Sequence, residues 1–158
     1  MRGDVVNRRF AAKTKVPVDR TRGEIEQALR RYGADQFISG WEHGRAMLGF
    51  RVRDRMVRFE LPLPKANDAG TRMQQERIEQ EIRARWRALL LVIKAKLEAV
   101  ESQISTFESE FLAHIVLPDN KTVGNWLLPQ IAQAYKTKKM PTLLLGDGGQ
   151  VIDGKVVQ

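Results

Sequence analysis

Between Leu48 and Leu61 the apolar residues alternate with polar ones: Leu48, Phe50 and Val52, then Val57, Phe59 and Leu61. A period of two is the signature of a β-hairpin with one buried face and one wet face. The intervening positions carry Arg51, Arg53, Arg58 and Glu60, with Arg45 just upstream and Arg55 at the bend. Arginine is therefore expected to dominate the wet face, and its paired N–H donors match two oxygens of a phosphate. Any half-exposed antiparallel sheet needs a solvated face. Here, however, only Asp54 and Glu60 stand nearby to offset the arginines. The pattern points to a polyanion-binding surface and identifies no reaction.

The size of 158 residues fits one domain, or a small domain with an appended helical part. A hydrophobic content of 42% suffices for a core. No apolar run approaches the ~20 residues of a membrane-spanning helix, and the basic start is not followed by the apolar core of a secretory signal. The chain has no Cys, which excludes disulfides, thiolate catalysis and Cys-based zinc sites. The net charge of +8 is unevenly placed. Residues 1–64 hold 14 Lys/Arg against 8 Asp/Glu, and residues 65–100 hold 8 against 5, whereas residues 101–158 hold 5 against 6. Localised positive charge suits nucleic acid or an anionic surface.

The order of elements implies an α+β fold. Residues 1–20 read as a flexible basic arm that includes Arg8 and Arg9, or as an inert terminus. Thr21–Tyr32 reads as a short helix, with Thr21 and Glu24 at capping-box spacing and Gly33 placed to end it. Three antiparallel strands are expected over about 36–41, 46–53 and 56–61, with Asp54–Arg55 as the tight turn. Pro62 and Pro64 stop the sheet. A capping box at Thr71 and Gln74 opens a long helix. Two series in it recur every seven residues: Trp86, Ile93, Val100 and Phe107, and Leu90, Leu97, Ile104 and Phe111. That is coiled-coil spacing. The stripe serves either to pack on the sheet or to pair with a partner helix, in a homo-oligomer or on a host or phage protein. Continuous to Ala113, the helix would outrun a domain of this size, and Ser102, Ser105 and Thr106 mark a place to break. A last helix is expected over about 123–136, with Asn125 capping it so that Pro129 falls in its first turn. Residues 21–141 form the expected domain, and 142–158 a tail in which Asp153-Gly154 suggests a small hairpin or a frayed end.

Catalytic chemistry is thinly represented. His43 and His114 stand alone, and Glu76, Glu79 and Glu81 sit among arginines at spacings of ordinary helix-surface ion pairs. No cofactor or metal site is indicated, and an enzyme is the weaker expectation. The first strand leaves an alternative open. If Ile38 points inward, Phe37 and Trp41 stand beside the arginines as a base-stacking platform. If Phe37 and Trp41 point inward, only phosphate contacts remain.

The helix–strand–strand–strand–helix order over about 21–100 is similar to that of a double-stranded-RNA-binding domain. The loop Glu42-His43-Gly44-Arg45 lacks proline, and the helix start Thr71-Arg72-Met73-Gln74-Gln75-Glu76-Arg77 is not a lysine cluster. The binding residues of that family are therefore not transferred. Separately, Arg85-Trp86-Arg87-Ala88-Leu89, Ile93-Lys94-Ala95-Lys96-Leu97-Glu98-Ala99-Val100 and Thr122-Val123-Gly124-Asn125-Trp126-Leu127-Leu128-Pro129 resemble a group of short bacteriophage and prophage proteins with no established activity. The resemblance covers about 12–141. It implies a bacterial cytoplasm as the location and a phage-type accessory role. The sequence thus predicts a non-enzymatic nucleic-acid-binding protein of weak sequence preference, with DNA favoured over RNA. Arg45, Arg51, Arg53, Arg55 and Arg58 would hold phosphates with help from Arg8 and Arg9. The alternative is a protein–protein interaction or regulatory protein assembling through the long helix.

Overall fold

The computed structural model of the chain describes residues 11–42, 44–65 and 70–140, and the backbone of 151–152 and 155–156. The order is α1 (Val18–Tyr32), β1 (Ala34–Glu42), β2 (Arg45–Val52), β3 (Arg55–Pro62), α2 (Arg72–Glu101), α3 (Phe107–Phe111), a 3-10 turn (Leu112–His114) and α4 (Val123–Thr137). β1, β2 and β3 form an antiparallel sheet in that order. In the tail, β4 (Val151–Ile152) and β5 (Lys155–Val156) pair antiparallel around Asp153-Gly154.

α1 starts a turn earlier than its sequence suggests. Pro17 is its N-cap, and Thr21 lies inside the helix, fully buried, with Oγ1 donating to the Pro17 carbonyl at 3.4 Å. Glu24 is not a capping residue. Its carboxylate accepts from Arg87 of α2 at 2.7 Å and so clasps the two helices. Gly33 ends α1 at φ +106°, a conformation that costs any other residue strain. Within the expected basic arm, residues 11–14 are held against the fold. Ala11 is buried, and the Gln80 amide of α2 donates to the carbonyls of Ala12 (3.0 Å) and Thr14 (2.7 Å). Arg8 and Arg9 lie outside the described residues.

α2 carries the anticipated capping box: Thr71 Oγ1 accepts from Gln74 N–H, and Gln74 Oε1 accepts from Thr71 N–H. Its 30 residues span about 45 Å at the usual rise. The helix breaks at Ser102–Thr106, where Gln103 takes φ +58°. Thr106 then caps α3 by accepting from Ser109 N–H. The break turns the chain back so that Phe107 and Phe111 enter the core.

The core lies between one face of the sheet and α1, α2 and α3. Ile25 and Leu29 of α1 meet Ala46, Leu48, Phe50, Val52, Val57 and Phe59 of the sheet and the α2 stripe. Trp86, Leu90, Ile93, Leu97, Phe107 and Phe111 are buried there and Val100 partly so, while Ile104 projects from the break with 80% of its surface exposed. Of the two uses open to the stripe, the chain packs it on its own sheet. The kink at Ser102–Thr106 takes Phe107 and Phe111 off any straight stripe.

α4 is capped by Thr122, whose Oγ1 accepts from Asn125 N–H at 3.1 Å. Asn125 is therefore not the cap, and Pro129 sits mid-helix. The segment ahead of α4 borders β3: Val116 N–H donates to the Met56 carbonyl at 2.8 Å, and Ile115 bridges Val57. No helix among the described residues is long and apolar enough to cross a membrane.

Candidate functional site

The hairpin register decides which arginines stand together. The loop between β2 and β3 is Arg53-Asp54, one residue earlier than expected, with Val52 opposite Arg55. Arg53 takes the left-handed conformation at φ +54°. Its guanidinium comes close enough to the Tyr32 hydroxyl to oppose the upward push that burial gives that phenol. Tyr32 packs against the core, so Arg53 leans to the helix side. Arg55 faces Val52 across the ladder and has the same parity. Arg53 thus leaves the wet face that the sequence assigned it, and Arg55, expected in the turn, opens β3 on the helix side. Arg45, Arg51 and Arg58 remain together on the uncovered side.

That side is not a field of free cations. Arg51 grips Asp35 with two bonds, Nε to Oδ1 at 2.9 Å and Nη2 to Oδ2 at 2.7 Å. Asp35 is the residue left over where β1 slips its register against β2. These bonds hold its carboxyl below the ordinary carboxylate range. Arg45 and Arg58 share Glu60, each at 3.5 Å. Arg58 also donates to the Asn120 side chain (3.1 Å) and carbonyl (2.9 Å), which ties the turn before α4 to the sheet. Glu42 has the same parity, opposite Arg45. Three arginines on this face are therefore balanced by Asp35, Glu42 and Glu60. Its centre holds Ile38, Gly40, Met47 and Gly49, with Ile38 64% exposed. The geometry is that of an apolar patch with a neutral, ion-paired rim.

Phe37 and Trp41 point to the helix side, opposite Phe50 and Ala46. A stacking platform beside the arginines is thereby ruled out. Phe37 is half-buried against the core. Trp41 is 84% exposed. Between it and the helices lies a cleft of about 450 Å³ lined by Val18, Arg22, Ser39, Gly40, Trp41, Ala46, Leu63, Ile82 and Trp86. α1 contributes Val18 and Arg22 to this cleft, the sheet Ser39, Gly40, Trp41 and Ala46, and α2 Ile82 and Trp86. Arg22 is fixed at its side, donating through Nε (3.0 Å) and Nη2 (2.5 Å) to Ser39 Oγ and through Nη1 to Asp19 at 3.4 Å. Sequence reasoning missed this cleft. The only signal was an aromatic residue at the end of an amphipathic strand.

The remaining described candidates make contacts within the fold. Glu76, Glu79 and Glu81 pair with Arg72, Arg83 and Arg85 at 3.1, 4.0 and 3.0 Å, each one turn apart. Among the described residues, no three His, Asp or Glu side chains gather to hold a metal. His43 lies outside them. His114 stacks on Phe59, with ring centroids 4.0 Å apart. Burial, and then Lys96, lower its pKa. The unfolded chain therefore takes up protons first as pH falls, so stability is complete above the ordinary histidine range near pH 6.5 and declines from there through the lowered folded value. The difference in Tm between pH 7.5 and pH 5 is expected to shrink in His114→Phe, which keeps a stacking ring and removes the titration. An unchanged difference assigns the acid sensitivity to other groups.

No family model matches the chain, and neither a curated protein nor a solved structure does so.

Proposed function

We propose that the chain is a non-enzymatic interaction protein whose partner is another protein. One observation carries the reading: Trp41 is almost fully exposed at the mouth of a formed apolar cleft. Aromatic side chains left in water over a ready pocket characterise protein-binding sites. The neutral sheet face supports the same reading, since Ile38, Met47 and paired arginines suit a protein surface better than a polyanion. So does α4, which leaves Leu128 (62%), Ile131 (39%) and Tyr135 (82%) exposed at helical spacing. The phage-type resemblance supplies the proposed setting, an accessory role in a bacterial cytoplasm. Photo-crosslinking side chains at Ile38, Trp41, Leu128 and Tyr135 in bacterial cells test the reading. Protein adducts from at least one position are expected, and adducts to nucleic acid alone overturn it.

Nucleic-acid binding stands as a second reading, moved to another surface. Among the described residues Lys13, Lys15 and Arg77 have no ion-pair partner, and the bonds of Gln80 bring the 11–16 segment onto this half of α2. With Arg72, Arg83 and Arg85 they outnumber Glu76, Glu79 and Glu81 by six to three. Titration with single- and double-stranded DNA decides between the readings. The leading one expects no saturable binding at low salt. Affinity that falls steeply with salt, and that is lost in the combined Lys13→Ser, Lys15→Ser, Arg77→Ser variant, establishes the second.

A further inference from the structure

The two edges of the sheet are treated differently. The outer edge of β3 is partly covered by Ile115 and Val116. No described strand or bridge pairs with the outer edge of β1. Proteins usually blunt such an edge with proline, lysine or an inward charge. β1 carries none of these over Gln36–Trp41, a run without a single charged residue. Its outward main-chain groups can be assigned. β1 and β2 join through a two-residue loop closed by Glu42 opposite Arg45, and residues closing such a loop exchange both backbone bonds. Alternation from that pair directs Gly40, Ile38 and Gln36 toward β2. The N–H and C=O groups of Trp41, Ser39 and Phe37 therefore point outward. The cleft opens beside those same residues, with Ser39, Gly40 and Trp41 forming one wall.

Resting on the interaction reading above, we propose that the outer edge of β1 takes an extended peptide segment of another protein as a fourth strand. One bulky apolar side chain of that segment fills the cleft between Trp41 and Trp86, and a neighbouring carboxylate meets Arg22. The unpaired main-chain edge selects an extended backbone. The apolar lining selects the anchor. Arg22 supplies the charge complementarity. Its link to Asp19 is a long, exposed one, with the Asp19 side chain 93% accessible, so an incoming carboxylate can compete for the guanidinium.

A display library of random linear peptides selected on the immobilised full-length chain provides the probe. Enriched peptides are expected to pair one large apolar residue with an acidic residue nearby. Trp41→Ser should weaken them by about tenfold or more, as for a central aromatic anchor, and leave the thermal transition in place because Trp41 is exposed. N-methylation of alternate peptide nitrogens should abolish binding while the same change one residue along does not, which tests strand addition without altering the protein. Binding insensitive to both changes but lost in Leu128→Ser overturns this site and leaves the interaction reading intact. A dimer that dissociates in Trp41→Ser makes the occupant a second copy and overturns the proposal. An unenriched library overturns it outright, whereas the crosslinking result stands or falls separately.

Discussion

Phe111→Ala is expected to cost about 3–5 kcal/mol of stability, the range for truncating a buried aromatic, without changing the oligomeric state. Phe111 is fully buried. Its ring meets the edges of Phe50 (5.7 Å between centroids) and Phe59 (6.3 Å), lies against Phe107 (4.7 Å) and sits under the Lys96 ammonium. Few surroundings can collapse into the space, because β2 and β3 are held by their ladder and α3 is only five residues long. For a chain of this size each kcal/mol moves Tm by about 2–4 °C, so the midpoint should fall by roughly 6–20 °C. Ile104→Ala is the matched control. Ile104 belongs to the same heptad series but projects into solvent at the break, so its truncation should stay within about 0.5 kcal/mol. Urea unfolding and light scattering read both. A seam between chains would reverse the pattern: Ile104 would matter, and Phe111→Ala would dissociate a complex.

How much of this was legible beforehand depends on what each pattern can encode. Alternation from Leu48 to Leu61 fixed the core face of the hairpin. It left the register open, because sliding the strands by two residues keeps every side chain on the same face. The observed choice sets Ala46 opposite Leu61 and puts Arg53 in the loop, and no periodicity separates it from the alternative. That slide is why Arg53 sits in the turn rather than on the wet face, and Arg55 in the strand rather than in the turn. Spacing likewise located the α2 stripe and marked its break through Ser102, Ser105 and Thr106, but a heptad does not say what it faces. The neutralisation of the arginines escaped for a different reason. Asp35 reaches Arg51 only because β1 slips at that residue, and Glu60 lies between Arg45 and Arg58 only once β3 is in register. Asn120, which fixes Arg58, lies 62 residues away in sequence. Contacts of that kind are set by tertiary structure alone.

Gly124→Ala should detach α4 from the remainder of the fold. In an exposed helix this replacement normally stabilises by about 1 kcal/mol, since glycine has the larger backbone entropy to lose. Here a Cβ at Gly124 would stand 2.9 Å from the Ala113 carbonyl oxygen and 3.5 Å from its Cβ. The obstacle is backbone, held in turn by the Ile115 N–H bond to Leu112 and by the Val123 N–H bond to Ile115 at 2.9 Å, so neither side can move freely. Overpacking of this kind costs about 1–3 kcal/mol, and it outweighs the gain in helix propensity. α4 has little to set against the loss. None of its residues is fully buried, Pro129 interrupts its ladder, and a free helix of 15 residues is marginal in water. The loss should therefore be local. Amide exchange should accelerate across 123–137 while α1 and α2 keep their protection, and the main unfolding transition should move little. A uniform rise in stability, as for any exposed helical glycine, would show that α4 does not rest on the 3-10 turn. Because Leu128, Ile131 and Tyr135 ride on α4, the same variant also separates the two exposed apolar surfaces. A partner held by α4 should be lost with it, whereas one held by the β1 edge should remain.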